Sequence, residues 1–154
     1  MSVSYVKGDL LKATGINILV HGCDCFCTMG SGIAKQIAKT YPQAEIVDKA
    51  TTRGNRDKLG TITIVNVALK EVGETNKWVI NAYTQYSYGT DKQNLDYDAL
   101  RSCLKMLDKE LPNGTIGMPK MGCGLGLGDW EVVKLIIEEE LGHRDVTVFS
   151  LEGF

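Results

Sequence analysis

The sequence predicts an α/β domain of three layers, α/β/α, built on a mixed, mostly parallel sheet. Three observations carry that expectation. Strand-like and helix-like segments alternate from end to end, the pattern that βαβ units leave in a chain. Asn17–His21 is a short continuous apolar run, as a strand covered on both faces requires. Two glycine-rich loops, one spanning Met29 to Ala34 and one spanning Met121 to Gly128, each follow an apolar strand and open a helical segment. In open α/β sheets ligands bind at such carboxyl ends of strands.

The elements follow in order. Ser2–Lys7 reads as a strand stopped at Gly8-Asp9, and Asn17–His21 as the buried strand. Ser31–Thr40 places Ile33, Ile37 and Ala38 on one helical face, and Pro42 closes it. Pro42–Asp57 includes another short helix. Gly60–Val67 is alternating and β-branched, and Trp78–Ala82 is a second short strand. Leu95–Leu111 is the strongest helix, with Leu100, Cys103, Leu104 and Leu107 at i, i+3, i+4 and i+7. Thr115–Met118 reads as a strand, Asp129–Leu141 as a helix capped by Asp129, and Val146–Leu151 as the last strand.

A chain of 154 residues with no linker, repeat or low-complexity tract reads as one domain spanning 1–154. Its 17 basic and 19 acidic residues give a net charge of −2, which argues against extended nucleic-acid binding. No apolar run is long enough to cross a bilayer, and the first residues lack the charged and apolar pattern of a signal peptide. Five cysteines without scaffold spacing favour a reducing, cytoplasmic setting. A monomer is expected.

Glycine lets backbone N–H groups approach an anion, and a following helix offers its positive end. Gly30, Ser31 and Gly32 in one loop and Gly122, Gly124, Gly126 and Gly128 in the other therefore suggest a site that grips a pyrophosphate from two sides. No lysine follows either loop in P-loop fashion, so an ATPase is not expected. Asp9 reads from the residues alone as a turn or capping acid. His21 and Asp24 stand where the buried strand gives way to its loop, as structural groups or as an acid–base pair. Cys23, Cys25 and Cys27 alternate after His21, but the spacing is unlike a Cys-x-x-Cys knuckle, so neither a metal nor another cofactor is expected.

Three segments together resemble the macrodomain family: Val6-Lys7-Gly8-Asp9-Leu10, the loop from His21 to Ala34, and Pro119 to Trp130. The likeness runs on to Val148-Phe149-Ser150-Leu151. Within the family, His21-Gly22-Cys23-Asp24 followed by Met29-Gly30-Ser31-Gly32-Ile33-Ala34 is similar to the branch of yeast-type ADP-ribose 1''-phosphate phosphatases and of the terminal ADP-ribose glycohydrolase. The chain departs from the commoner Asn-Ala-Ala-Asn pattern, and Asp24 stands where the family has a ribose-contacting asparagine. The resemblance implies ADP-ribose or a derivative as the ligand. It implies that Gly8, Asp9, Leu10 and Phe149 hold the adenine end, with Asp9 accepting from the exocyclic amine. Met29, Gly30, Ser31, Gly32, Ile33 and Ala34, with Met121, Gly122, Cys123, Gly124, Leu125 and Gly126, would hold the phosphates, and Tyr83 would wall the distal ribose. Related glycohydrolases carry an acid where this chain has Gly126, and a lysine where it has Ala82-Tyr83. Phosphomonoester hydrolysis of ADP-ribose 1''-phosphate by His21, Asp24 and Asp129 is therefore the expected reaction. Removal of ADP-ribose from protein or nucleic acid, and binding without catalysis, are the alternatives.

Overall fold

The computed structural model describes residues 2–67, 77–89, 91–123 and 126–154. Among the described residues six strands form one sheet: β1 (Val3–Lys7), β2 (Ile18–Cys23), β3 (Ile62–Val67), β4 (Lys77–Tyr83), β5 (Ile116–Pro119) and β6 (Val146–Ser150). Their order is β1-β6-β5-β2-β4-β3. Every pairing is parallel except that of β3 with β4. The β3–β4 connection spans 68–76, and a parallel crossover needs about a dozen residues or more, so the pair is antiparallel.

Helices α1 (Gly32–Thr40) and α2 (Pro42–Lys49) cover one face, and α3 (Tyr97–Glu110) and α4 (Trp130–Leu141) cover the other. Alternation along β2 sorts the two cores. Ile18 and Val20 join Leu100, Leu104, Leu107, Val133 and Ile137. Leu19 joins Leu10, Ile37, Ala44 and Val79 on the α1/α2 side. The strongly periodic Leu95–Leu111 segment becomes α3, and its apolar stripe is buried as its spacing requires.

The structure refines several boundaries. β2 runs to Cys23 and β4 to Tyr83, each beyond the apolar run that marks it in sequence. Pro42–Asp57 divides into α2, with Pro42 in its first turn, and a separate 3₁₀ turn at Arg56–Lys58 capped by Asn55. A further 3₁₀ turn, Leu10–Lys12, is capped by Asp9, whose Oδ1 accepts from Leu11 N at 2.9 Å. Among the described residues no helix is long and apolar enough to cross a membrane.

Candidate active site

The carboxyl ends of β2 and β5 lie side by side in the sheet, and the loops leaving them rise as two walls of a cleft of about 670 Å³. One wall is Gly22–Asp24 and Thr28–Ala34; the other is Pro119–Gly122 with Gly126; Gln85, Tyr88 and Gly89 close one side. Helix α1 begins at Gly32 within the first wall, so its positive end abuts the cleft. Lys120 lines the opposite wall, its Nζ 4.7 Å from the Phe154 ring centroid and 5.5 Å from that of Trp130. A helix N-terminus and the Lys120 cation thus flank the cleft, groups suited to an anionic ligand.

Asp24 lies on the cleft wall. Its Oδ1 accepts from Phe26 N at 2.7 Å and its Oδ2 from the Thr28 hydroxyl. These bonds fix the carboxylate in a turn of its own loop and leave it further lone pairs for a ligand.

Asp48 is a second carboxylate on the cleft, one the sequence reading passed over. It belongs to α2, is 1% exposed, and accepts from Tyr83 Oη at 2.8 Å through Oδ1. Burial drives its pKa above the usual carboxylate value; the Tyr83 bond and the Lys58 charge oppose that, and Asp24 adds to it. Ala44 and Asp48 share the buried face of α2 at i, i+4, while the apolar Ile46 is 67% exposed, so the residue pattern alone does not mark Asp48 as buried.

Of the expected ligand contacts, Met29, Gly30, Ser31, Gly32, Ile33, Ala34, Met121, Gly122 and Gly126 are brought together on the cleft. Cys123 is half-buried beside them, and Gly124 and Leu125 lie outside the described residues. Gly8 and Phe149 stand together at the ends of β1 and β6, with Asp9 beside them. Leu10 is placed elsewhere: it is 4% exposed and packs into the core beneath Gly117.

The structure also corrects the setting of three other residues. His21 points from β2 into the α2-side core, fully buried, with Nε2 2.6 Å from Asn81 Oδ1. Burial pulls its pKa down to about 4, against the Asn81 bond, so it is a neutral imidazole below the cleft floor. Tyr83 is 1% exposed and lies behind Asp48, outside the cleft lining. Asp129 is exposed and caps α4, its Oδ1 accepting from Glu131 N at 2.9 Å. Nor do the three alternating thiols converge. Cys25 Sγ faces Gln85 O at 3.5 Å and Cys27 Sγ faces Asp48 O at 3.2 Å, while Cys23 stays by His21. Among the described residues no group of three or more His, Cys, Asp or Glu is set to hold a metal.

The mixed sheet between two helical layers, with a cleft at its carboxyl ends rimmed by a helix N-terminus and a glycine loop, is the architecture of a macrodomain. The chain belongs to the Macro domain family, whose pattern it matches over residues 20–137. It is 36% identical to an uncharacterized 17.5 kDa protein of the tk-vs intergenic region of Enterobacteria phage T4, over 99% of this chain and 98% of that one. It is 30% identical to the Homo sapiens ADP-ribose glycohydrolase OARD1, over 97% of this chain and 91% of that protein. It is 26% identical to the ADP-ribose 1''-phosphate phosphatase of Saccharomyces cerevisiae, over 97% and 99% respectively. Among solved structures, a macrodomain protein from Streptomyces coelicolor matches with a TM-score of 0.72 at 25% identity, covering 96% of this chain and 98% of that one.

Proposed function

We propose that the protein is a hydrolase that binds an ADP-ribose derivative and cleaves the bond joining C1'' of the distal ribose to its substituent. Adenine lies toward Asp9 and Phe149, the diphosphate lies between the α1 N-terminus and Lys120, and the distal ribose lies against Asp24 and Asp48. The observation that carries the reading is the presence of those two carboxylates on one cleft. Positive charge develops at a sugar C1 as its substituent leaves, and a fixed carboxylate stabilises it. A terminal phosphate dianion in the same place would meet two acids.

Hydrolysis of ADP-ribose 1''-phosphate at phosphorus is the second reading. The end-to-end likeness to the yeast phosphatase favours it, and the amides opening α1 are suited to a further phosphate. One experiment separates the two. Chelator-treated protein is incubated with ADP-ribose 1''-phosphate, with an ADP-ribosylated glutamyl peptide and with an ADP-ribosylated oligonucleotide. Free ADP-ribose from the peptide or oligonucleotide, with little inorganic phosphate from the first substrate, is expected. The opposite pattern establishes the phosphatase, and tight ADP-ribose binding with neither product establishes a binding module.

A further inference from the structure

We infer that Asp48 takes the proton from the attacking water, and that a buried file of side chains from His21 to Tyr83 aims it. The inference rests on the hydrolase reading above and adds the group that handles the proton.

The file is laid out by strand register. His21 on β2 pairs with Asn81 on β4, and Asn81 pairs with Thr63 on β3. Tyr83 is two residues beyond Asn81 and so emerges on the same face. The Asn81 amide is the fixed point. Its Nδ2 lies 3.0 Å from Ala44 O, which only accepts, and 3.1 Å from Thr63 Oγ1, so both its hydrogens are used. Asn81 Oδ1 only accepts, so His21 carries its hydrogen on Nε2. Thr63, having accepted, is free to donate to Tyr83 Oη at 3.3 Å, and Tyr83 donates to Asp48 Oδ1 at 2.8 Å. Each link then donates toward Asp48, and the file ends on a buried carboxyl that borders the cleft.

Charged and titratable groups surround Asp48 from every neighbouring element. Lys58 places Nζ 3.1 Å from Cys25 O, 3.6 Å from Cys27 Sγ and 4.8 Å from the Tyr83 ring centroid. Asp24 comes from the first loop, Glu45 from α2 itself, and Cys23, Cys25 and Cys27 from the strand end and its loop. Burial outweighs the Tyr83 bond and Lys58, which raises the carboxyl's pKa above the ordinary carboxylate value and makes it a better proton acceptor. In the step, the water oxygen bonds to C1'' as the bond to the substituent breaks, and the electron pair departs with the substituent. Asp48 receives the water proton and passes it to the departing group, so ADP-ribose and the protonated substituent are the products.

The test uses Asp48→Asn, which keeps an oxygen for Tyr83, and Tyr83→Phe, which leaves Asp48 in place. We expect kcat of D48N to fall about 100-fold or more, the scale of acid–base catalysis. Affinity for ADP-ribose should stay within about threefold, because a proton-transfer group acts in the transition state. In Tyr83→Phe the donor that favours the ionised carboxyl is gone, so the acidic limb of the kcat/KM profile moves to higher pH, a shift that lost packing alone does not produce. A D48N kcat within about threefold of wild type, or an unmoved limb in Tyr83→Phe, overturns the inference. Should D48N fail to fold, the Tyr83→Phe limb decides alone. A wild type that binds ADP-ribose but releases it from no substrate overturns the hydrolase reading, and the inference with it.

Discussion

His21 and Asn81 are register partners on β2 and β4, and their side chains meet at 2.6 Å in a fully buried core. The contact places a titratable ring where its proton is held off. Burial lowers the His21 pKa from 6.5 to about 4. Between those values the unfolded chain binds a proton that the folded one does not, so stability falls as pH falls. The full effect is on the order of 3 kcal/mol. Asp48 acts in the opposite sense: its folded pKa is raised above 3.8, so its contribution is greatest at low pH and is lost as pH rises. His21→Gln keeps Asp48, so the comparison isolates the histidine. In urea denaturation at neutral pH and near pH 4.5, wild type should lose distinctly more stability than His21→Gln. Parallel losses would show that the ring is protonated in the fold.

The two glycine loops answer to different constraints, and a pair of alanine substitutions exposes this. A Cβ on Gly30 meets nothing within 4 Å, although Gly30 lines the cleft. Gly30→Ala should hold stability within about 0.5 kcal/mol while ADP-ribose affinity falls about tenfold, as backbone approach to phosphate requires. Gly122 has φ +72°, and a Cβ there would stand 2.6 Å from Leu95 Cδ1. Gly122→Ala should cost about 2–4 kcal/mol from strain and overpacking together. Calorimetric titration beside thermal melts reads both. Equal destabilisation of the two variants would contradict the assignment of separate roles.

Asp9 serves the fold through one carboxyl oxygen, and the proposed ligand pose gives it a second duty. Asp9→Ala should cost about 1 kcal/mol from the lost cap of the 3₁₀ turn. Asp9→Asn retains an oxygen for Leu11 N and should be nearly as stable as wild type. Its amide hydrogens face the adenine amine poorly, so ADP-ribose affinity should still drop about tenfold, as for one lost hydrogen bond to a charged group. Unchanged affinity in Asp9→Asn would move adenine away from this strand end.

The sheet and its covering helices were legible because their signals are local. Apolar runs mark strands, and the Leu100–Leu107 spacing marks α3. The cleft was legible for the same reason, since Met29–Ala34 and Gly122–Gly126 announce themselves as loops at strand ends. Side-chain direction was not. His21 reads as the last residue before a loop, yet β2 continues to Cys23 and strand alternation turns the ring into the core. Asp48 was not legible because the hydroxyl it accepts from belongs to Tyr83, on β4, 35 residues along the chain. Asp129 is legible in its local role, the helix cap, and its exposed place follows from that role.

Leu95 has a consequence for how this cleft meets a ligand. Its side chain occupies the space against Gly122 and Gly128, its backbone N–H donates to Gly126 O at 3.2 Å, and Gly128 N donates to Gly122 O at 2.7 Å. The core leucine at the foot of α3 therefore acts as a mould for Gly122, Gly126 and Gly128 of the second loop. Those parts of the lip are held by the core itself, so an incoming diphosphate has little ordering entropy left to remove from them.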